Sequence, residues 1–319
     1  MSTRYVAFAL GIALIAGIVV LGMNEPGTSP LATDSTLAGT IEIDGSSTVF
    51  PITQAVAEEF RKLHPDVQVP VGVSGTGGGF KRFVVGETHI SNASRPIKPI
   101  EIDLAAEHEI EFIELSIGFD GLSVIANPSN DFLTCLTTDE LLAIWKPGSD
   151  LNRWSEVRGG LPDSSFRLYG PDTDSGTFDY FTEAIVQQED ASRSDYSASA
   201  DDNVLIRGVA GDKNALGYFG FAFYSSSPDK LKLIAVDSGS GCIYPSVQTI
   251  NDGTYAPLSR PMFIYVNVAA LERVEVVEFL NFYLDNATAL IQEVGYVPLP
   301  ETLYDEGRAI LNASMEAAG

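Results

Sequence analysis

Residues 41–83 read IEIDGSSTVFPITQAVAEEFRKLHPDVQVPVGVSGTGGGFKRF, in which apolar β-type runs alternate with loops of Gly, Ser and Thr and with helical spacing. Residues 41–44 form a short apolar strand that runs into GSSTVFP at 45–51. A helix follows, with Ile52, Val56, Phe60 and Leu63 at helical spacing, and His64-Pro65 ends it. Residues 67–73 alternate and are rich in β-branched side chains, which predicts a second strand. It opens into SGTGGG at 74–79 and then a helix from Phe80 to about Val85. A third strand at 89–93 leads to SRPIK at 94–98. This repeated strand-to-loop-to-helix order predicts an α/β fold with a mostly parallel sheet.

The pattern continues downstream. Residues 122–126 read as a strand, and 138–145 as a helix capped by Thr137 or Thr138, with Glu140 just inside. A strand at 166–169 runs into GPDTDSGT at 170–177 and a helix through Phe178, Phe181, Ile185 and Val186. Residues 190–203 are polar and read as an excursion. Strands are expected at 216–223, 231–236 and 261–267, and helices at 274–284 and 287–294.

The chain has 319 residues, enough for one large or two mid-sized domains. With 45% hydrophobic residues it can build a packed core. Its 43 acidic against 19 basic residues give a net charge of −24. That balance argues against nucleic acid as a partner, because phosphate backbones are held by clustered Lys and Arg. It also argues against long-range capture of any anion. Three His and two Cys leave little material for a metal site, and His64, His89 and His108 show no ligand spacing. No cofactor is expected.

Arg4 precedes an uncharged apolar run at 5–23, the pattern of an export segment. Residues 1–23 are therefore either a cleaved signal peptide or an uncleaved membrane anchor, since the run approaches the ~20 residues that span a bilayer. Both place the rest of the chain outside the cytoplasm, periplasmic or extracellular. No Cys follows the run, so no lipid-modified N-terminal Cys is expected. Residues 24–39, rich in Pro, Gly, Ser and Thr, read as a linker. In an oxidising compartment Cys135 and Cys242 are expected to form a disulfide, the alternative being two buried thiols. Asn92, Asn286 and Asn312 each open an N-x-S/T triplet, a pattern that also arises by chance.

The chemistry sits in loops that precede helices. GSSTVFP, SGTGGG and DTDSGT each follow a strand, are built of small hydroxyl residues and Gly, and open a helix. Helix starts offer unpaired N–H groups and a partial positive charge. Small residues let the backbone approach a ligand. Several such starts converging would hold an anion without a metal or a basic patch. SGTGGG lacks the Lys-Ser/Thr ending of a P-loop, and no G-x-S-x-G elbow is present.

DGSSTVFPI (44–52), SGTGGGFKRF (74–83), ASRPIK (93–98), LYGPDTDSGTFDYF (168–181), PLSRPMFIYVN (257–267) and VGYVPLP (294–300) together resemble the periplasmic phosphate-binding proteins of phosphate ABC transporters, the PstS family. The motifs fall in the family's order from about 41 to 305. The resemblance implies a type II periplasmic-binding-protein fold, with two α/β lobes joined by two crossing strands and a ligand cleft between them. Lobe one would comprise 40–122 plus 260–319 and lobe two 123–259, with 121–127 and 261–267 near the crossings. It implies a monomeric, non-enzymatic protein that captures inorganic phosphate and delivers it to ABC transporter permease subunits. Rival expectations are a binding protein for another oxyanion (sulfate or a phosphonate), a secreted phosphatase and a tethered phosphate sensor.

Carried over residue by residue, the resemblance gives phosphate contacts from Ser47, Thr48 and the Val49 amide, from Thr76, and from Ser175, Gly176 and Thr177. Two positions depart from it. Relatives place an Asp that accepts the phosphate proton where this chain has Arg95, and an Arg where it has Pro171. Arg95 can supply a planar, charged donor fork to the ligand. Asp174, Asp120 and Asp172 are then the candidate proton acceptors.

Overall fold

The computed structural model describes residues 37–225 and 228–318. The apolar run at 5–23 and linker residues 24–36 lie outside them. The end of the linker is already structured: Gly39–Thr40 pairs in parallel with Val67–Gln68. The strand expected at 67–73 shrinks to those two residues plus a single bridge between Ile43 and Val71. Pro70 has no N–H to offer a ladder.

The first helix spans Phe50–Leu63, with Pro51 in its first turn, where a missing N–H is tolerated. Ile52, Val56 and Phe60 are buried, whereas Leu63 is exposed in the last turn. The Phe60 ring meets Phe279 edge-on at 5.3 Å, and Phe279 belongs to Val274–Glu293. That segment is one continuous helix where two are expected. Asn286 stays inside it, donating from Nδ2 to the Phe282 carbonyl.

The main sheet is mixed, not mostly parallel. Its spatial order runs Ile43–Gly45, Ile90–Ala93, Ser259–Asn267, Phe112–Ala126, Leu216–Gly220, Leu168–Gly170 and Ser197–Ala198. The strand–helix units do supply parallel neighbours: Ile43–Gly45 with Ile90–Ala93, and Leu168–Gly170 with Leu216–Gly220. The two long strands, Phe112–Ala126 and Ser259–Asn267, run antiparallel to each other, with Arg260 opposite Asp120 and Tyr265 opposite Glu114. Lys232–Asp237 pairs with the far end of Phe112–Ala126 and with Cys135–Thr137.

The long strands carry the chain between two hydrophobic cores. The first packs Ile52, Phe60, Leu115, Ile264, Phe279 and Tyr283 together. The second packs Leu122, Trp145, Trp154, Phe181, Tyr218 and Ile234. Along one strand Leu115 and Ile117 serve the first core and Leu122 and Val124 the second, while Phe119 packs against both. Fully burying each such side chain contributes ~1.5–3 kcal/mol. Thr138–Trp145 forms as expected, with Thr137 and Glu140 exchanging side-chain bonds in a capping box. The polar excursion is pinned by buried Arg193, which donates to the carbonyls of Ile144 and Leu151 and to Asp195. Asn92 is fully buried on its strand, so its triplet is no surface acceptor.

SGTGGG is itself helical: the helix spans Gly75–Phe83 instead of starting at Phe80. It lies against the first strand so closely that a Cβ on Gly79 would stand 2.5 Å from the Gly45 Cα. Asp44 ties the two together, accepting from the Gly45 and Ser74 amides and from Arg82 Nη1 at 2.6 Å. Burial alone would raise the Asp44 carboxyl, but these bonds outweigh it and hold it below the usual range. Gly79→Ala should therefore destabilise the protein by about 1–3 kcal/mol through overpacking, despite Ala's better helix propensity. Urea unfolding checks this, and a stabilised variant would contradict it.

Candidate functional site

Helix starts and loops from both cores face a cavity of about 780 Å³. Ser46–Thr48 and Ser74–Gly77 line one side, with Ser94, Arg95 and Lys98. Asp179, Tyr180, Glu183, Ala184 and Glu189 line the other, and Pro257, Ser259 and Arg260 complete it. Of the residues singled out from sequence, Ser47, Thr48, Thr76 and Arg95 line this cavity.

Ser175, Gly176 and Thr177 adjoin it from the second core. A Cβ on Gly176 would stand 3.3 Å from Thr48 Oγ1. The start of Gly176–Phe181 thus abuts the first loop across the cleft, an approach that the absence of a side chain permits. Ser175 spends its hydroxyl as N-cap, accepting from the Thr177 amide at 3.2 Å. Val49 is buried behind the loop, its amide turned to Ser46 Oγ at 3.4 Å. Thr76 Oγ1 sits 3.1 Å from Ser94 Oγ and accepts from the Ser94 amide.

The three candidate proton acceptors are not brought together. Asp172 and Asp174 do not line the cavity; Asp174 is exposed and its amide donates to Asp172 Oδ1. Asp120 is buried behind the cavity with one oxygen engaged by a residue that the sequence motifs contain but local pattern does not single out, Arg260. From the strand directly opposite, Arg260 reaches Asp120 Oδ2 with Nε at 3.3 Å and Nη2 at 3.2 Å. Its Nη2 also donates to Thr48 Oγ1 at 2.6 Å. The guanidinium lies over the Tyr180 ring, 3.7 Å from its centroid, a cation–π contact. Burial pushes the Asp120 carboxyl up more than Arg260 pulls it down. Asp120 Oδ1 has no hydrogen-bond partner among the described residues.

Arg95 is the second guanidinium of the cavity, and it is already engaged. It grips Glu101 bidentately, at 2.7 and 2.8 Å, while Glu101 also accepts from the Lys98 amide. Its charge is thereby shared with a carboxylate at the start of Pro99–Glu107. Facing these cations is an acidic wall. Asp179 accepts from Ser47 Oγ at 3.4 Å. Burial, and then the Asp190 carboxyl beside it, push Asp179 up to about 6, and Glu189 adds to the rise. Among the cavity residues that sequence reasoning missed, Asp179 and Arg260 matter most for its charge. The available signals were an Asp two residues past SGT and an Arg at the start of an apolar β run.

Two α/β halves, joined by two long antiparallel strands around a cleft of hydroxyls, helix starts and guanidinium groups, define a substrate-binding protein. A family model described as a PBP superfamily domain matches residues 31–287. The chain is 47% identical over 302 residues to Protein SphX of Synechocystis sp., covering 94% of this chain and 90% of that one. It is 35% identical to Phosphate-binding protein PstS of Staphylococcus haemolyticus, covering 93% and 94%. A crystal structure of a possible phosphate binding protein from Planctomyces limnophilus superposes with a TM-score of 0.84 at 45% identity, covering 87% of this chain and 99% of that one. The chain belongs to the PBP superfamily and, within it, to the PstS-like phosphate-binding proteins. The fold is the mixed α/β, type II binding-protein fold. The disulfide expectation holds as well: Cys135 and Cys242 are bonded, their Cα atoms 6.0 Å apart.

Proposed function

We propose that the protein captures inorganic phosphate outside the cytoplasm and delivers it to the permease subunits of an ABC-type importer. The convergence of hydroxyls, helix starts and Arg260 on one cavity between the two cores carries this assignment. The phosphate-binding names of relatives that align along most of their own length support it. Phosphate is held by Ser47, Thr48, Thr76 and Arg95, with Arg260 as the central cation; the Val49 amide, Ser175 and Thr177, now engaged in local bonds beside the cavity, and Gly176 between them turn to it as the cleft closes. Lobe one (40–122 plus 260–319) and lobe two (123–259) close on it by hinge motion at the long strands. No bond is made or broken. The protein acts as a monomer, freed from or tethered by residues 5–23.

Calorimetry with phosphate tests the assignment directly: a purified protein that gives no heat and no competition would sink it. Arg95→Ala should weaken phosphate binding by roughly 10- to 100-fold. The substitution removes a charge-assisted donor, worth ~1.5–3 kcal/mol, and leaves the Glu101 carboxylate without its counter-charge. Affinity kept within threefold would refute a ligand role for Arg95.

A further inference from the structure

We propose that Tyr265 is a positioning residue for phosphate: through the Ile97 amide it fixes the loop 94–98, so that Arg95 presents the Nε–Nη2 edge of its guanidinium to the ligand. The inference rests on the phosphate assignment above and deepens it.

Ser94, Arg95 and Lys98 of that loop line the cavity. Its ends are held locally. The Ser94 amide donates to Thr76 Oγ1 at 3.2 Å, and the Lys98 amide to Glu101 Oε2 at 2.7 Å. Between them the Ile97 amide donates to the Tyr265 hydroxyl at 2.9 Å. Tyr265 comes from far along the chain, on the strand Ser259–Asn267 that also carries Arg260. It is fully buried, and its hydroxyl donates in turn to Glu114 Oε2 on the neighbouring strand. With its proton committed to Glu114, the oxygen is left as an acceptor for Ile97. Burial, and then the bond to Glu114, push the hydroxyl up, so it keeps that proton. The ring is wedged among Phe80, Phe112 and Phe263, with centroids 4.9, 5.8 and 6.1 Å away. Phe80 in turn lies under the Arg95 guanidinium, 5.3 Å from ring centroid to Cζ. Tyr265 therefore touches both supports of Arg95, its loop and the ring beneath it.

The support matters because of what Arg95 has left to offer. Nη1 donates to the Pro96 carbonyl at 3.0 Å and to Glu101 Oε2 at 2.8 Å, and Nη2 donates to Glu101 Oε1 at 2.7 Å. Neither Nε nor Nη2 makes a further hydrogen bond among the described residues. The Nε–H and the remaining Nη2–H form a parallel pair that suits two oxygens of one anion. Nη2 lies towards the cavity lining: a Cβ on Gly77 would stand 3.8 Å from it. Glu101 and Pro96 fix one edge of the guanidinium and leave the other for the ligand. That division holds only while the loop keeps its shape, and a site ~1 Å too loose loses its ligand geometry.

Tyr265→Phe keeps the ring and removes only the hydroxyl. It should weaken phosphate binding roughly tenfold, read by calorimetry. In an Arg95→Ala background the same substitution should change affinity by less than about twofold, because no guanidinium is left to aim. Affinity kept within threefold by Tyr265→Phe alone would overturn the proposal. So would an equal loss in both backgrounds, which a purely structural role of the hydroxyl predicts. Hydrogen exchange of the unaltered protein gives a check that needs no variant. A bond that favours the ligand is itself favoured by the ligand, so saturating phosphate should slow exchange of the Ile97 amide at least ~10-fold. Exchange unchanged by phosphate would overturn the proposal. Absence of phosphate binding by the unaltered protein would instead sink the underlying assignment, so the two failures are distinguishable.

Discussion

Arg260→Ala should weaken phosphate binding at least ~100-fold and also destabilise the fold. Hydrogen bonds to a charged partner contribute ~1.5–3 kcal/mol each, and a guanidinium at the cleft can offer two. Truncation also removes the partner of Thr48 Oγ1 and strips buried Asp120 of its counter-charge. Breaking a buried pair in this way costs ~3–5 kcal/mol. The raised Asp120 carboxyl softens that cost, because it can take up a proton. The two effects separate in a double variant. Arg260→Ala with Asp120→Asn should recover much of the stability, read by urea unfolding, and none of the affinity, read by calorimetry. Phosphate affinity within threefold of the unaltered protein would show that Arg260 serves the fold alone.

The second large effect involves no residue of the cavity lining. Replacing Cys135 and Cys242 together by Ala should cost about 2–5 kcal/mol of stability, seen as a lower urea midpoint, while phosphate affinity stays within threefold. The bond closes a loop with a sequence separation of 107, and in the chain-entropy model a loop of that order is worth ~4.7 kcal/mol. It staples Cys135–Thr137 and Cys242–Ile243 to the two sides of Lys232–Asp237, away from the cavity. Leu136 and Ile243, the neighbours of the two cysteines, both pack on the second core, so the bond ties elements of that core to each other. An unchanged midpoint would contradict the expected stabilisation, and a loss of affinity would mean that it also shapes the cleft.

What could be read along the chain was the local chemistry of strand ends. GSSTVFP, SGTGGG and DTDSGT announce themselves because small hydroxyl residues follow apolar strands and precede helical spacing. Thr137 and Glu140 likewise specify their capping box within four positions. The helix Pro99–Glu107 was not read, since its Ile100, Ile102 and Leu104 are spaced by two and remain exposed. The first half of Phe112–Ala126 escaped as well, because it serves one core before crossing to the other. Arg260 and Asp120 illustrate a deeper limit. They meet only because two strands 140 positions apart adopt one register, and no local pattern encodes that register. Arg95 shows the converse: its spacing to Glu101 was visible, but the bidentate grip that shares its charge is a property of the folded loop.

The strand Ser259–Asn267 lies between Ile90–Ala93 and Phe112–Ala126, although those two are made long before it. A chain that emerges N-terminus first therefore holds an open slot in its first sheet until the last quarter arrives. Through that interval two strand edges carry unpaired amides and carbonyls that would template contact with other chains. Most of the second core lies within residues 122–258, but it too closes only when Val297 is added. Both cores thus wait for the C-terminal region, and the strand that fills the slot is also the one that carries Arg260 into the cleft.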